Sequence, residues 1–275
     1  MKALILAAGY ATRLYPLTKE YPKPLLEVKG RPIIDFIVDK LNKLHLIDEI
    51  YIVTNRRFIR VFRSWAKVVK TPKKITLIDD LTKNNRDRLG AIGDIDFVVK
   101  KKRVKEDLLV IGGDNLFSGT LRGFLAFSRR NIPAPCVGLY RLRNRKDASR
   151  YGVAKLNRRK AVVSFIEKPK KPESNLVAMC LYYMPKDSLG LIKQYLRNNK
   201  KQADTTGGYI AWLKSRVDIY GYVFKGSWFD IGDYKYLNAA KEKFSCKTPR
   251  ASKSTWPRQE LGQCSPRGEN CAGVV

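Results

Sequence analysis

The stretch that decides the fold is MKALILAAGYATRLYPLT, residues 1–18. Residues 3–6 form a short, nearly continuous apolar run, which is typical of a strand buried on both faces of a sheet. The small residues 7–9 follow at once, where backbone N–H groups can approach a ligand closely. The guanidinium of Arg13 can then hold phosphate oxygens through two parallel hydrogen bonds. We therefore predict a strand whose carboxyl end leads into an anion-binding turn.

This turn differs from three better-known patterns. It lacks the G-K-[ST] that completes a Walker loop, and it has no further glycines at the spacing of G-x-G-x-x-G. Its apolar run is shorter than the roughly 7 to 15 residues of a signal peptide. No apolar run in the chain approaches the roughly 20 residues needed to cross a bilayer. We expect a cytoplasmic protein without a membrane span.

Apolar runs alternate with helical patterns through the first half of the chain. Strands are predicted at residues 3–6, 50–53, 75–78, 108–111 and 135–140, and helices at residues 32–44, 56–65, 89–101 and 120–130. This β-α-β-α succession predicts a mostly parallel sheet covered by helices. The predicted fold class is α/β, with a doubly wound, Rossmann-like mixed sheet.

The second half has a different pattern, which predicts a small β-rich insertion. A hairpin is predicted from residues 153–155 and 162–166, further strands at 177–183 and 217–223, and helices at 186–198, 206–215 and 233–244. Residues 245–275 are rich in Ser, Pro, Gly and charge with almost no periodic apolar residues. That composition predicts a disordered tail.

The formal charge of +30 is the most unusual bulk property. The tail holds five Lys or Arg against two Asp or Glu, so the basicity belongs to the body of the chain. Such a body attracts polyanions without specificity. Because no basic-aromatic recognition motif is present, nucleic acid is not predicted as a specific partner.

The five cysteines show no C-x-x-C spacing, and the chain has one histidine. A zinc site is therefore not predicted.

Five ordered motifs resemble the sugar-1-phosphate nucleotidylyltransferases. The family signature L-A-A-G-x-G-T-R-L-x-P-L-T followed by P-K-P-L-L stands here as LAAGYATRLYPLT and PKPLL, with Ala11 where the family often has glycine. GGDNLF at residues 112–117, YGV at 151–153, EKP at 167–169 and WFDIGD at 228–233 follow in the family order. The resemblance implies a nucleotidyltransferase domain over residues 1–244. Its nucleotide-binding half would span about residues 1–135 and its sugar-binding half about residues 136–244.

The implied reaction joins a nucleoside triphosphate to a sugar 1-phosphate, giving a nucleotide sugar and pyrophosphate. It needs two polyanions held together and the developing charge stabilised, but no covalent nucleophile. Two alternatives stay open, namely an enzyme of the same fold that uses choline phosphate and CTP, and a non-catalytic nucleotide-sugar-binding protein. The sequence also leaves a homo-oligomer open.

The resemblance implies specific roles for sixteen residues. Catalytic roles fall to Arg13, Lys23, Asp114 and Lys168. Nucleotide contacts fall to Leu6, Ala8, Gly9, Thr12, Arg13, Lys23, Asp80, Gly90, Ala91 and Asp114. Sugar contacts fall to Asn115, Gly152, Glu167, Lys168 and Ala178. The cofactor would be Mg²⁺, held by Asp114 and Asp230 together with substrate phosphates.

The base pocket matches the family pattern less well. The glutamine that often precedes the glycine segment is absent, and Asp79 or Asp80 stands in roughly its place. A carboxylate accepts the N3 proton of uracil or thymine, which cytosine and adenine do not offer. The sequence therefore favours UTP or dTTP. It does not select the sugar.

Overall fold

The computed structural model describes residues 1–199 and 205–245. The strands, in chain order, are β1 (Lys2–Leu6), β2 (Glu27–Val28), β3 (Arg31–Pro32), β4 (Glu49–Thr54), β5 (Lys74–Asp79), β6 (Leu108–Gly112), β7 (Asn115–Phe117), β8 (Cys136–Arg141), β9 (Gly152–Leu156), β10 (Val162–Glu167), β11 (Leu176–Met184), β12 (Tyr220–Phe224) and β13 (Trp228–Asp230). The helices are α1 (Ile33–Asn42), α2 (Ile59–Val68), α3 (Gly90–Lys101), α4 (Leu121–Arg130), α5 (Leu189–Asn199), α6 (Thr206–Lys214) and α7 (Tyr234–Lys243). The predicted tail lies outside the described residues, apart from its first residue.

One mixed sheet organises the molecule. Its strand order is β10-β9-β11-β6-β1-β4-β5, with β8 beside β11 and β12 beside β8. Strands β6, β1, β4 and β5 run parallel, whereas β11 is antiparallel to β6, β8 and β9. The predicted α/β class with a mostly parallel, doubly wound first half is confirmed.

Strand β1 lies at the centre because its side chains are apolar on both faces. Ala3 and Ile5 pack with α1, α2 and α4 on one face, while Leu4 packs with α3 and α5 on the other. All three residues are fully buried. Burying one large aliphatic side chain stabilises a fold by roughly 1.5–3 kcal/mol. The position of β1 in turn fixes the turn at residues 7–13 at the carboxyl edge of the sheet.

Several predicted elements begin later than the sequence pattern suggests, and hydrogen bonds explain two of these late starts. Helix α2 was predicted from residue 56, but Asn55 Oδ1 accepts a hydrogen bond from the backbone N–H of Phe58 at 3.0 Å and closes a turn there. The late strand was predicted from residue 217, but the N–H of Val217 donates to Leu213 O at 3.0 Å and extends the end of α6. In both cases a hydrogen bond sets where the element begins, although the apolar pattern of the sequence continues through that point.

The sequence reasoning missed a small two-stranded sheet, β7–β13. It pairs Asn115 with Asp230 and Phe117 with Trp228 in antiparallel register. Each strand has only three residues, too few to establish a period of two. This sheet brings the GGDNLF and WFDIGD motifs together, although they are more than a hundred residues apart.

Membrane insertion finds no support in the described helices. None of those within residues 1–199 and 205–245 combines the length and hydropathy that a bilayer span requires.

Candidate functional site

Hydrogen bonds to Val53 and Asn55 hold the turn that follows β1, and Gly9 in this turn stays exposed. Ala7 N–H donates to Val53 O at 2.9 Å, and Ala8 O accepts from Asn55 Nδ2 at 2.9 Å. A side chain placed on Gly9 would meet nothing within 4 Å. Thr12 and Arg13 lie exposed in the short 3-10 turn that comes next. Gly9, Thr12 and Arg13 are therefore exposed at the carboxyl end of the central strand.

Ala11 adopts the left-handed backbone conformation, with φ 47°. Its carbonyl accepts a hydrogen bond at 2.8 Å from the hydroxyl of the fully buried Thr18, which holds the turn in this shape. A residue with a Cβ pays roughly 1–2 kcal/mol for this conformation, whereas glycine adopts it freely. Alanine in place of the family's glycine at position 11 therefore affects the backbone conformation of the turn.

Replacing Ala11 with glycine should increase the free energy of unfolding by about 0.5–1 kcal/mol, since the relief of strain exceeds glycine's extra unfolded-state entropy. Chemical denaturation measures this. Ala8→Gly is the matched control, because Ala8 is 5% exposed and is not among the residues with positive φ. The control should lose stability, and an equal loss in Ala11→Gly would contradict the strain argument.

Lys23, Asp114 and Asp230 form the charged centre of the site. Lys23 lies in a 3-10 turn between Pro22 and Pro24, and its ammonium is ion-paired with the Asp114 carboxylate. Asp114 lies two residues after the end of β6, and the β7–β13 sheet holds Asp230 opposite Asn115, the residue that follows Asp114. The structure thus brings together three residues that the sequence placed in three separate motifs.

The charges of this centre shift two of its pKa values. Burial by itself lowers the pKa of Lys23, but the carboxylates of Asp114 and Asp230 outweigh it and raise that pKa above its usual value. Burial and then the Asp114 charge raise the pKa of Asp230 to about 6. Arg13 acts on both groups, which places its guanidinium within electrostatic range of them. Two adjacent carboxylates of this kind favour bound positive charge.

The Asp114 turn needs glycine before it. Gly113 N–H donates to Leu6 O at 2.8 Å, and a Cβ on Gly113 would lie 2.8 Å from that oxygen. Any larger residue would therefore push β6 away from β1. This close approach joins the anion-binding turn and the carboxylates at one edge of the sheet.

Asn115 is buried and engaged by protein on both sides of its amide. Its Nδ2 donates to the carbonyl of Met179, and its Oδ1 accepts from Trp228 Nε1 at 2.7 Å. Met179 and Cys180 lie where the β8–β11 register shifts, and Cys180 has φ 51°. Asn115 therefore holds an irregular segment of β11 against the carboxylates. Its predicted contact with the sugar stays a prediction.

A second polar group surrounds Glu167. Lys168 Nζ lies 3.7 Å from Glu167 Oε1, and the Lys168 N–H donates to Tyr151 O at 3.0 Å. Burial raises the pKa of Glu167, opposed by the Lys168 charge. A Cβ on Gly152 would lie 3.0 Å from Glu167 Oε2, and one on Gly207 would collide with the same carboxylate. The two glycines thus make room for Glu167.

Strand β11 connects the two polar groups. Burial raises the pKa of the Cys180 thiol to about 12, and the negative charges of Asp114 and Asp230 contribute to this rise. Tyr182 is 2% exposed, and its hydroxyl lies within electrostatic range of both Cys180 and Glu167. Ala178 lies half-buried at the start of the irregular segment. Sequence reasoning gave no individual role to Cys180, Tyr182 or Gly207, because the continuous apolar run of β11 explains the first two and helix α6 the third.

Asp80, which is predicted to contact the nucleotide, is engaged by its own loop, and its contact with the base stays a prediction. Asp80 is 4% exposed, and its Oδ1 accepts hydrogen bonds at 2.8 Å from both the N–H and the hydroxyl of Thr82. Asp94 hydrogen-bonds the same carboxyl group, and burial raises the pKa of Asp80. Oδ1 of Asp80 is therefore engaged within the protein. The local turn at Thr82 binds this side chain, and apolar periodicity in the sequence does not predict such a turn.

Gly90 and Ala91 begin α3 immediately after this loop, and Gly90 has φ 77°, which favours glycine. Tyr10 from the anion-binding turn meets Thr82 with 3.0 Å between their hydroxyl oxygens. The base-pocket loop and the anion-binding turn are thus linked directly.

The donor set suits a hard divalent cation bound with substrate. Asp114 and Asp230 offer carboxylate oxygens, and no cluster of three or more His, Cys, Asp or Glu side chains suited to a metal occurs in residues 1–199 and 205–245. Mg²⁺ is commonly bound through one or two carboxylates plus substrate phosphates, which is compatible with this pair.

The geometry places the exposed turn after β1, a lysine–carboxylate centre and a glutamate–lysine pair along one edge of the sheet. The nucleotidyl transferase family model matches residues 2–245. The chain belongs to the nucleotidyl transferase family.

Two curated relatives and one solved structure illustrate the similarity. A Sulfolobus acidocaldarius protein assigned as a mannose-1-phosphate guanyltransferase is 30% identical over 91% of this chain and 65% of its own length. The UTP–glucose-1-phosphate uridylyltransferase AglF of Haloferax volcanii is 27% identical over 92% of this chain and all of its own length. A crystal structure of a protein assigned as a glucose-1-phosphate thymidylyltransferase, from Bacillus anthracis in complex with sucrose, is 25% identical and has a TM-score of 0.71. The match covers 88% of this chain and 94% of the Bacillus anthracis chain. The chain spans about half the length of the bifunctional GlmU proteins that it also matches.

Proposed function

We propose that the protein transfers a nucleotidyl group from a nucleoside triphosphate to a sugar 1-phosphate and releases pyrophosphate. The observation that carries this proposal is the Lys23–Asp114–Asp230 centre beside the open turn that ends in Arg13. Cations there can neutralise two polyanions at once, and no nucleophilic side chain is required. Membership of the family supports the same reaction class.

In the proposed reaction a phosphate oxygen of the sugar 1-phosphate attacks the α-phosphorus of the triphosphate. A new P–O bond forms as the bond between the α-phosphorus and the bridging oxygen breaks, and pyrophosphate leaves with the electron pair. Arg13 would hold the departing pyrophosphate, and Lys23 would contact the α-phosphate where charge develops. Amides of the turn from Leu6 to Thr12, including those of Ala8 and Gly9, would hold the triphosphate.

The metal assignment rests on Asp114 and Asp230, which would hold Mg²⁺ through one or two carboxylate oxygens. When bound, Mg²⁺ supplies charge neutralisation at the phosphate oxygens. The ion pair between Lys23 and Asp114 would keep this carboxylate next to the proposed α-phosphate contact of Lys23.

The sugar-binding assignment rests on the Glu167 group. Glu167 would accept hydrogen bonds from sugar hydroxyls, Gly152 would let the ring approach, and Lys168 would neutralise the sugar phosphate. Lys168 is 55% exposed at its side chain, which leaves the ammonium available to a phosphate. Ala178 would line the same pocket, while Asn115 would position β11 beneath it. Residues 136–244 would then form the sugar-binding half and residues 1–135 the nucleotide-binding half.

For the base we propose uracil or thymine. AglF and the thymidylyltransferase-like structure, which carry uridylyl and thymidylyl names, support this choice. The guanyltransferase name of the Sulfolobus relative points elsewhere, so the base needs a direct test. We infer that Gly90 and Ala91 lie along the base and that Asp80 fixes the pocket through Thr82.

A pyrophosphate-release assay over ATP, CTP, GTP, UTP and dTTP, each with several sugar 1-phosphates and choline phosphate, tests this proposal. We expect kcat/KM to be highest for UTP or dTTP with a sugar acceptor. A preference for GTP, CTP or ATP would overturn the base assignment while keeping the reaction. Turnover with choline phosphate alone would overturn the acceptor class.

A further inference from the structure

A buried series of hydrogen bonds runs from the turn after β1 to helix α3. Tyr10 lies inside this turn, 2% exposed, with its ring centroid 6.4 Å from that of Phe58. Its hydroxyl oxygen lies 3.0 Å from that of Thr82, whose hydroxyl donates to Asp80 Oδ1 at 2.8 Å. The Asp80 carboxyl group is in turn hydrogen-bonded to Asp94 of α3. We call Tyr10, Thr82, Asp80 and Asp94 the Tyr10 chain.

The hydroxyl groups of the Tyr10 chain donate in a fixed order. Thr82 has one hydroxyl hydrogen, and Asp80 Oδ1 accepts it together with the Thr82 N–H. The Tyr10 hydroxyl is therefore the donor in its contact with Thr82. Each residue of the Tyr10 chain is at most 6% exposed, so a bond lost there leaves a buried polar atom without its partner. Such a loss costs more free energy than the loss of an exposed hydrogen bond.

The Tyr10 chain joins two parts of the proposed triphosphate site. Tyr10 belongs to the turn that is proposed to hold the phosphates. Asp94 lies about one helical turn after Gly90, at the end of α3 that is proposed to lie along the base. A nucleoside triphosphate carries its base and its phosphates on one molecule, so the distance between the turn and α3 decides whether both can be held in the geometry for reaction. The Tyr10 chain sets this distance.

We propose that Tyr10 is a positioning residue that couples recognition of the base to placement of the triphosphate. Its hydroxyl holds the turn at the distance from α3 at which one triphosphate fits both parts of the site. The Tyr10 side chain acts through Thr82 and not on the nucleotide itself, because its ring is buried and its hydroxyl is bound to Thr82. This inference rests on the proposed function, which assigns the phosphates to the turn and the base to the start of α3.

Binding of a whole triphosphate and of its two separate parts tests the proposal, with the full chain and with Mg²⁺ present. The probes are UTP, uridine and inorganic tripolyphosphate, with dTTP and thymidine as a parallel set. Tyr10→Phe keeps the buried ring and removes only the hydroxyl. Tyr183→Phe is the matched control, because the hydroxyl of the buried Tyr183 is bound to the Asp107 carboxylate just before β6, at the opposite end of that strand. Isothermal titration calorimetry measures the affinities, and a thermal melt verifies that each variant folds.

We expect Tyr10→Phe to weaken the binding of UTP or dTTP by about five- to tenfold, the effect of one lost buried hydrogen bond. Each nucleoside and tripolyphosphate should bind within about twofold of the original protein, because a separate part settles in its own subsite whatever the distance to the other.

Thr82→Val interrupts the Tyr10 chain at the next residue. The double variant Tyr10→Phe/Thr82→Val should therefore bind the triphosphate within about twofold of the weaker single variant. Tyr183→Phe should keep all affinities within about twofold. Its melting temperature should fall by about 2–4 °C, as that of Tyr10→Phe should.

Three results would overturn the proposal. The first is that Tyr10→Phe binds both triphosphates as tightly as the original protein does. The second is an equal loss for the nucleoside or for tripolyphosphate, because the hydroxyl would then support one part of the site alone. The third is an equal loss in Tyr183→Phe, because the effect would then follow from general stability. These comparisons require binding but no turnover, so the pyrophosphate-release assay tests the proposed reaction separately.

Discussion

Asp114→Asn should lower kcat by about 10²- to 10³-fold or more, the range seen when one preorganised charge-stabilising group is removed from an active site. The carboxylate pairs with Lys23 and stands next to Asp230 at the carboxyl end of a central strand. Asparagine keeps the shape and one oxygen but loses the negative charge. The loss should therefore appear in turnover while the fold is retained. Pyrophosphate release at saturating substrates measures it.

Asp218→Asn is the matched control, because Asp218 is exposed and lies outside the site. It should turn over like the original protein. Circular dichroism and a thermal melt verify that both variants fold. If Asp114→Asn kept normal turnover, Asp114 would have no role in binding the metal or the α-phosphate.

Lys23→Met should reduce kcat by a similar factor of about 10²- to 10³-fold, for a different reason. The variant removes the part-buried positive charge that offsets the Asp114 and Asp230 carboxylates, so their mutual repulsion is no longer balanced. It also removes the cation proposed to contact the α-phosphate. Lys23→Arg should restore little activity, because a planar guanidinium does not reproduce the compact ammonium in the confined turn between two prolines.

Single-turnover measurement with the triphosphate already bound shows whether the Lys23 variant loses the chemical step or only affinity. Lys19→Met, at an exposed position of the same segment, is the control and should behave normally. Normal single-turnover rates in Lys23→Met would remove Lys23 from the proposed chemistry.

The sequence predicted the central part of the fold well, because apolar periodicity is a direct consequence of burial. Strand β1 is apolar on both faces, and the observed strand lies between two parallel neighbours with Ala3 and Ile5 on one side and Leu4 on the other. The hairpin of β9 and β10 and the helix order were predicted for the same reason.

The sequence predicted less where polar contacts or short strands decide the structure. The three-residue pairing of β7 with β13 carries no detectable period, yet it places Asp230 beside Asp114. The engagement of Asp80 by Thr82 and Asp94 depends on local turn geometry that spacing does not reveal. The sequence predicted a regular strand at the irregular segment around Cys180, because β11 is a continuous apolar run.

The most direct test of the proposed function is a product analysis of the complete reaction. The protein is incubated with Mg²⁺, UTP or dTTP, and a sugar 1-phosphate, and pyrophosphate and nucleotide sugar are both quantified. We expect equal amounts of pyrophosphate and nucleotide sugar, and no pyrophosphate when the sugar 1-phosphate is omitted. Pyrophosphate release without the acceptor, or no nucleotide sugar with any of the triphosphates and sugar phosphates, would contradict it.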